Sequence, residues 1–459
     1  MAPRRRRPGL PVPTWRLAAA AAVAAVAVLA VPADPLLTLL AANGALLVAA
    51  AVDALRAAPP EDLGVTRELP GVVPLDGRAE IVWRVTNPTG RRLRLRLADA
   101  LAPSLRAATR RARLVVPARG RAAGRTAINP SRRGRFALSE VTLRVEGPWG
   151  LAARQGRQVV AGVVRVYPPF RSRQEAELRL TRARILEVGL RSARGRGGGT
   201  EFDSLRDYQP DDEFGRIDWA ATARAGKPIV RTYRAERNQT VLLLLDTGRT
   251  MAARIPWADD RGAGQPRAPG DWVPRLDHAM DAVMMLTAVS TRLGDRAGLV
   301  AFADRVRAVV APGHSRDQLG RVTEAMYALE PELVESDYRG AFVETLGRFR
   351  RRALLVLFTE LAEQAAAETL LPALPLVARS HIVLVAAVRD PAVARWARAL
   401  PTEAATAYRK AAAVQALAER RRTVARLRGL GAVVVDAGPG RLAPELADAY
   451  LRVKAAGRL

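Results

Sequence analysis

The hydrophobic pattern changes character along the chain. Residues Leu17 to Val31 are uninterruptedly apolar, and a second apolar stretch runs from Leu36 to Val52 with Thr38 and Asn43 as its mild exceptions. A helix needs roughly 17 to 25 apolar residues to cross ~30 Å of hydrocarbon, so each stretch is near the short end of a span, with Trp15 and Leu55 available to extend it at the interface. Pro32 and Pro35, with Asp34 between them, break the helix, so residues 1–56 are expected to form a basic tail followed by a hairpin of two transmembrane helices. From 63 to 170 the pattern becomes short alternating runs: Ala79 to Thr86, Leu93 to Leu97, Ala112 to Val116, Val141 to Val145 and Val163 to Tyr167. Period-two alternation bounded by turns, repeated at regular spacing, predicts a β-sandwich-like all-β domain.

Residues 171–200 read as a connector, helix-compatible at first and ending in a glycine run at Gly195, Gly197, Gly198 and Gly199. Across 240–459 continuous apolar runs appear at Val241 to Leu245, Ala297 to Phe302, Ala353 to Phe358, Ile382 to Val388 and Ala432 to Val435. Between them lie helix-compatible stretches such as Leu276 to Leu293 and Asp317 to Leu329. Strands apolar on both faces, alternating with helices, predict a doubly wound, mostly parallel α/β sheet, with Val306 to Val310 as a candidate antiparallel edge strand. Such a sheet presents ligand sites at the carboxyl ends of its strands.

Charge adds location rather than fold. The net charge of +28 is almost all arginine, since Lys227, Lys410 and Lys454 are the only lysines. A basic body is drawn to anionic surfaces, either nucleic acid or the inner leaflet of a membrane. Aromatics at 5%, arginines dispersed over every segment and the membrane hairpin weigh against nucleic acid. Arg4, Arg5, Arg6 and Arg7 before the first apolar stretch and Arg56 after the second place both ends, and the large domains, on the cytoplasmic side of the cell membrane. A cleaved signal peptide, cut near Ala33, is the alternative, although the second segment would still anchor the product. With no cysteine, disulfides, thiolate metal sites and thiol catalysis are excluded.

Oxygen-bearing side chains gather at the predicted carboxyl edge. The first parallel strand runs into Asp246, Thr247, Gly248, Arg249 and Thr250, a later one ends in Thr359 and Glu360, and Glu335, Ser336 and Asp337 precede a helix. This order, with Asp246 and Thr250 after the first strand, resembles a von Willebrand factor type A domain, whose metal-ion-dependent adhesion site combines an Asp-x-Ser-x-Ser loop, a distant Thr and a later Asp. The chain departs from that pattern: Gly248 stands at the first hydroxyl position, Ser336 takes the place of the Thr, and Glu360 that of the Asp. The resemblance implies a degenerate metal site of Asp246, Thr250, Ser336 and Glu360 that holds a Mg²⁺-like ion, against the alternative that these residues cap helices and close loops.

The segment 201–239 is acidic and then basic. Glu201, Asp203, Asp207, Asp211, Asp212, Glu213 and Asp218 face only Arg206 and Arg216, after which Arg224, Lys227, Arg231, Arg234 and Arg237 restore the charge. Glu201 with Phe202, then Leu205, Arg206 and Tyr208, then Asp211, Asp212, Arg216, Ile217, Asp218 and Trp219 closely resemble the signature of the domain of unknown function number 58, with Pro210 where that family usually has glycine. In that family the signature precedes a von Willebrand A-like domain and often follows two transmembrane helices and a β-rich region. Its members commonly occur beside MoxR-type AAA+ ATPases, which implies a membrane-anchored, non-enzymatic adaptor of such an ATPase. Asp207, Asp211, Asp212, Arg216, Asp218 and Trp219 are the candidate partner-binding residues; the alternative is that the acids pair with the arginines that follow, with Phe202, Tyr208 and Trp219 as core anchors. A competing function is a metal-assisted hydrolase using Asp246, Glu360 and the acid cluster. The chain lacks a Gly-x-Ser-x-Gly elbow, a phosphate-cradling Gly-x-x-x-x-Gly-Lys loop and a His-rich metal motif, and His278, His314 and His381 are scattered.

Overall fold

The computed structural model describes residues 10–28, 34–75, 77–181, 201–210, 212, 214–234, 239–257, 272–361 and 366–456; for 201–203, 216, 232–234, 366 and 367 it describes the backbone alone. The basic run Arg4 to Arg7, the glycine run of the connector, Asp211 and Glu213 lie outside the described residues. The chain divides into two compact units, Met1–Tyr167 and Pro168–Leu459.

In the first unit, strand β1 (Leu10–Pro13) leads into helices α1 (Trp15–Val28) and α2 (Pro35–Arg56). Asp34 caps α2 by accepting the N–H groups of Leu36 and Leu37, and Pro35 begins its first turn. Among the described residues only α2 is long and apolar enough to cross a membrane; α1, expected to span as well, has 14 described helical residues. Beyond α2 come β2 (Gly64–Glu68), β3 (Val73–Pro74), β4 (Ala79–Thr86), β5 (Leu93–Asp99), β6 (Arg111–Val116), β7 (Arg121–Ile128), β8 (Gly134–Glu146) and β9 (Ala152–Tyr167). One sheet runs β1-β9-β8-β5-β6 with β3 paired to β9, and the other runs β2-β4-β7. Their inward residues, among them Ile81, Trp83, Leu95, Leu97, Val141, Leu143 and Val164, form one buried core. The two sheets are tied through a buried acid: Asp99 of β5 accepts two hydrogen bonds from the Arg67 guanidinium of β2 (2.9 and 2.7 Å) and one from Trp83 Nε1 of β4 (2.7 Å).

A second buried acid fastens the helical hairpin to this domain. The Asp53 carboxylate, near the end of α2, accepts the N–H groups of Trp149, Leu151 and Ala152 at 2.8, 2.8 and 2.9 Å. Gly147 is obligatory there, because a Cβ would lie 2.4 Å from the Asp53 carboxyl carbon. The entry to α1 is tied to the same turn: β1 pairs with β9 from Ala152 to Gln155, and Thr14 Oγ1 donates to the carbonyls of Gly150 (2.5 Å) and Leu151 (3.1 Å).

The second unit opens with residues 168–181, helical from 173, whose Ala176 and Leu180 are buried in its core. There follow β10 (Glu201–Asp207), α3 (Trp219–Ala225), β11 (Ile229–Arg234), β12 (Thr240–Asp246), β13 (Arg254–Pro256), β14 (Trp272–Pro274), α4 (Arg275–Arg292), β15 (Arg296–Phe302) and β16 (Val306–Gly313). Then come α5 (Gln318–Met326), α6 (Tyr338–Arg348), β17 (Leu354–Phe358), α7 (Leu371–Ala378), β18 (Ile382–Val388), α8 (Pro391–Arg398), α9 (Ala404–Gly429), β19 (Val433–Ala437) and α10 (Leu442–Ala455). The main sheet has the order β16-β15-β12-β17-β18-β19, with β16 antiparallel at one edge and the other five strands parallel. Alternate residues of β12 feed opposite cores. Val241, Leu243 and Leu245 pack with α4 and α10, while Leu242 and Leu244 pack with α6 and α7, which is why the strand reads as one continuous apolar run.

Candidate functional site

β12 and β17 are parallel neighbours with Leu245 opposite Phe358, so Asp246 and the pair Thr359 and Glu360 emerge side by side at the carboxyl edge. Asp246 is fully buried and every approach to its carboxylate is taken. Oδ1 accepts from Ser336 Oγ (2.6 Å) and Gly248 N (2.8 Å), and Oδ2 from Thr359 Oγ1 (2.6 Å) and Tyr338 Oη (3.0 Å). All four donors are neutral. Burial therefore raises the Asp246 pKa above the ordinary carboxyl value, with the hydrogen bonds opposing it only in part. Burial, and then the nearby Asp246 charge, push the Tyr338 hydroxyl well above the usual phenol range.

Gly248 explains the missing hydroxyl of the loop. A Cβ at 248 would lie 2.1 Å from Ser336 Oγ, so the Ser336 hydroxyl occupies the space a side chain there would need. The rest of its loop is equally committed. Glu335 pairs with Arg249 at 2.6 Å, and Asp337 caps α6 through the N–H of Gly340 at 2.9 Å.

Of the four residues expected to hold a metal, only Asp246 and Ser336 touch. Glu360 belongs to a separate buried cluster: it pairs with Arg420, which also holds Asp436 (2.8 Å), and its Oε2 lies 3.1 Å from Arg275 Nε. Thr250 Oγ1 is buried without a hydrogen-bond partner among the described residues. A Mg²⁺-like ion needs free oxygens converging on one point. Here protein donors fill the Asp246 shell and guanidinium groups neutralise Glu360, so these four residues do not fit the ion. Among the described residues no group of three or more His, Asp or Glu side chains is gathered to hold a metal. Chemically, the centre is a latch that binds the loops after β12 and β17 and the entry to α6.

The signature segment forms a hairpin of β10 and β11 with α3 at its turn. Three of its acids, Asp207, Asp212 and Asp218, pair within the segment. Asp212 receives both guanidinium nitrogens of Arg206 (2.8 and 2.6 Å) and the N–H of Gln209 (2.9 Å). Asp207 pairs with Lys227 at 2.7 Å. Asp218 pairs with Arg231 at 2.8 Å and caps α3 through the N–H of Ala221 at 3.0 Å. The Arg231 hydrogen bond, then that of the Ala221 N–H, hold the Asp218 carboxyl below its ordinary pKa. Asp211 lies outside the described residues, and Arg216 is described by its backbone, in a short 3₁₀ turn from Phe214.

The aromatic residues correct an expectation. Trp219, read as a core anchor, is 66% exposed, and Phe214 is 72% exposed, 5.8 Å from the half-buried ring of Tyr208. The side chain of Phe202 lies outside the described residues. The cause is local: α3 has seven residues, and of these only Ala221 is buried. Sequence reasoning also missed Tyr338, Arg275, Arg420 and Asp436, whose roles depend on contacts across the fold. The two-residue spacing from Ser336 to Tyr338 was the one available signal.

These features define an α/β protein with a closed polar centre at the sheet edge and an ion-paired hairpin ahead of its first parallel strand. The family described as "Protein of unknown function DUF58" matches residues 204–406, which supports that family for this segment. No curated protein matches the chain. Among solved structures, an uncharacterized membrane spanning protein from Vibrio fischeri is similar at 16% identity, over 48% of this chain and 98% of that one, with a TM-score of 0.18. The CARDB domain of a Pyrococcus furiosus protein is similar at 15% identity, over 23% of this chain and 92% of that one, with a TM-score of 0.16. A C. elegans member of the MSP family stands at 14%, 22% and 96%, with a TM-score of 0.16. Likenesses at these TM-scores carry no argument about overall fold.

Proposed function

We propose that the chain is a membrane-anchored protein-interaction module that docks a MoxR-type AAA+ ATPase through its signature hairpin. One observation carries the reading: Phe214 and Trp219 are exposed on a segment whose Asp207, Asp212 and Asp218 are already ion-paired. Large aromatics beside charged groups are typical anchors of protein interfaces, and a surface fixed before contact loses little entropy on binding. The ATPase as partner comes from the family resemblance. The strand order with its antiparallel edge supports a von Willebrand A-like scaffold, without the metal-dependent adhesion its relatives use. The anchor is read as a two-pass hairpin with both large units cytoplasmic, supported by the length of α2 and by Arg56 at its foot.

The test is binding of a purified MoxR-type ATPase to the detergent-solubilised full chain, comparing wild type, Phe214→Ala with Trp219→Ala, and Asp246→Asn. Binding should be lost in the double variant and kept in Asp246→Asn. A double variant that folds and binds like wild type overturns the docking surface, and no binding by wild type overturns the partner.

A further inference from the structure

We propose that the end of the β-sandwich next to α2 is a lipid-contact surface, seated in the headgroup layer of an anionic leaflet. The inference rests on reading α2 as membrane-spanning and adds where the bilayer stops. Exposed apolar side chains run along α2 from Leu36 and Leu37 through Leu47 and Val48 to Leu55, which is 80% exposed. The polar anchor Asp53 lies within one helical turn of Leu55, about 3 Å along the axis. The hydrocarbon boundary therefore falls at the turn that Asp53 grips, with no linker to hold the sandwich away from it.

The side chains at that level are those an interface selects. Trp149, on the gripped turn, is 49% exposed with the Arg56 guanidinium 5.3 Å from its ring centre. Trp15, next to Thr14, is 66% exposed with Arg16 5.9 Å from its ring. Arg16 also lies against Gly150, where a Cβ would approach its guanidinium to 2.6 Å, so both Trp and Arg pairs converge on one turn. Strand register adds charge at the same end. Leu95 is opposite Val145 and Leu93 opposite Val116, so the loops 87–92 and 117–120 flank the Gly147–Leu151 turn, and their Arg91 and Arg119 are exposed. Tryptophans prefer the headgroup region, and arginines are drawn to an anionic surface.

The absence of cysteine makes the test direct. The full chain, reconstituted in phosphatidylcholine–phosphatidylglycerol vesicles, carries a fluorescent label on one introduced cysteine at a time: Trp149→Cys, the neighbouring Pro148→Cys, Leu47→Cys in α2, or Ala108→Cys at the sandwich's far end. Quenchers are nitroxide lipids spin-labelled at the headgroup or in mid-chain. Headgroup nitroxide should quench positions 148 and 149, mid-chain nitroxide position 47, and neither position 108. Replacing Arg56, Arg91 and Arg119 with Gln should weaken the headgroup quenching at 148. Position 47 quenched with 148 and 149 unquenched overturns the lipid contact while leaving the anchor intact. Shielding of 148 and 149 from aqueous iodide without lipid quenching points to a protein covering and also overturns it. Position 47 unquenched overturns the spanning reading itself.

Discussion

The second unit holds carboxylates in two opposite ways. At the sheet edge Asp246 is buried among neutral donors, and Asp281 of α4 is likewise buried, accepting the N–H of Ser172 at 3.1 Å. On the signature hairpin, Asp207, Asp212 and Asp218 each face a cation. Burial raises the Asp246 and Asp281 carboxyls above their ordinary pKa, whereas the Arg231 hydrogen bond holds that of Asp218 below it. The first arrangement uses acids as internal fastenings. The second neutralises a loop so that its aromatic residues can stand in solvent.

The largest way to break the contrast is Asp246→Ala, which leaves three hydroxyls and an N–H facing a void. A loss of about 3–5 kcal/mol in denaturant unfolding is expected, and a loss under about 1 kcal/mol would mean water fills the latch. Asp281 tests the same idea by pH. Burial raises its pKa to about 6, above an unfolded value of about 3.9, so the unfolded state binds fewer protons between them. Stability should therefore fall as pH rises from about 4 to about 6, by about 3 kcal/mol from this group, and Asp281→Asn should flatten that slope. A smaller effect is expected of Gly248→Ala, about 1–3 kcal/mol, because its Cβ meets Ser336 Oγ. A double-mutant cycle with Ser336→Ala should recover part of it, and strict additivity would refute the steric account. Smallest of all, Phe214→Ala and Trp219→Ala should change stability by at most about 0.5 kcal/mol. A larger loss would return these rings to the core.

The parallel sheet was the most legible part of the sequence, because strands buried on both faces need unbroken apolar runs. Val241 to Leu245 and Ile382 to Val388 mark their strands to within a residue, and the antiparallel edge at Val306 was visible too. β7 was not, since its Ala122, Gly124 and Thr126 give the alternation too little contrast. At the site, the positions of Asp246, Thr359 and Glu360 followed from where strands end. Which acid meets hydroxyls and which meets guanidinium depends on α4, α6 and α9, far away in sequence. Of the two readings of Trp219, partner contact and core anchor, the second failed because hydrophobicity records a cost of exposure and not whether a seven-residue helix has room to bury the ring.

Asp53 has a mechanical consequence. Three backbone donors hold its carboxylate, Gly147 leaves no slack beside it, and β1 grips the other strand of the same corner. Such a joint transmits torque: the sandwich must tilt with α2 as one lever.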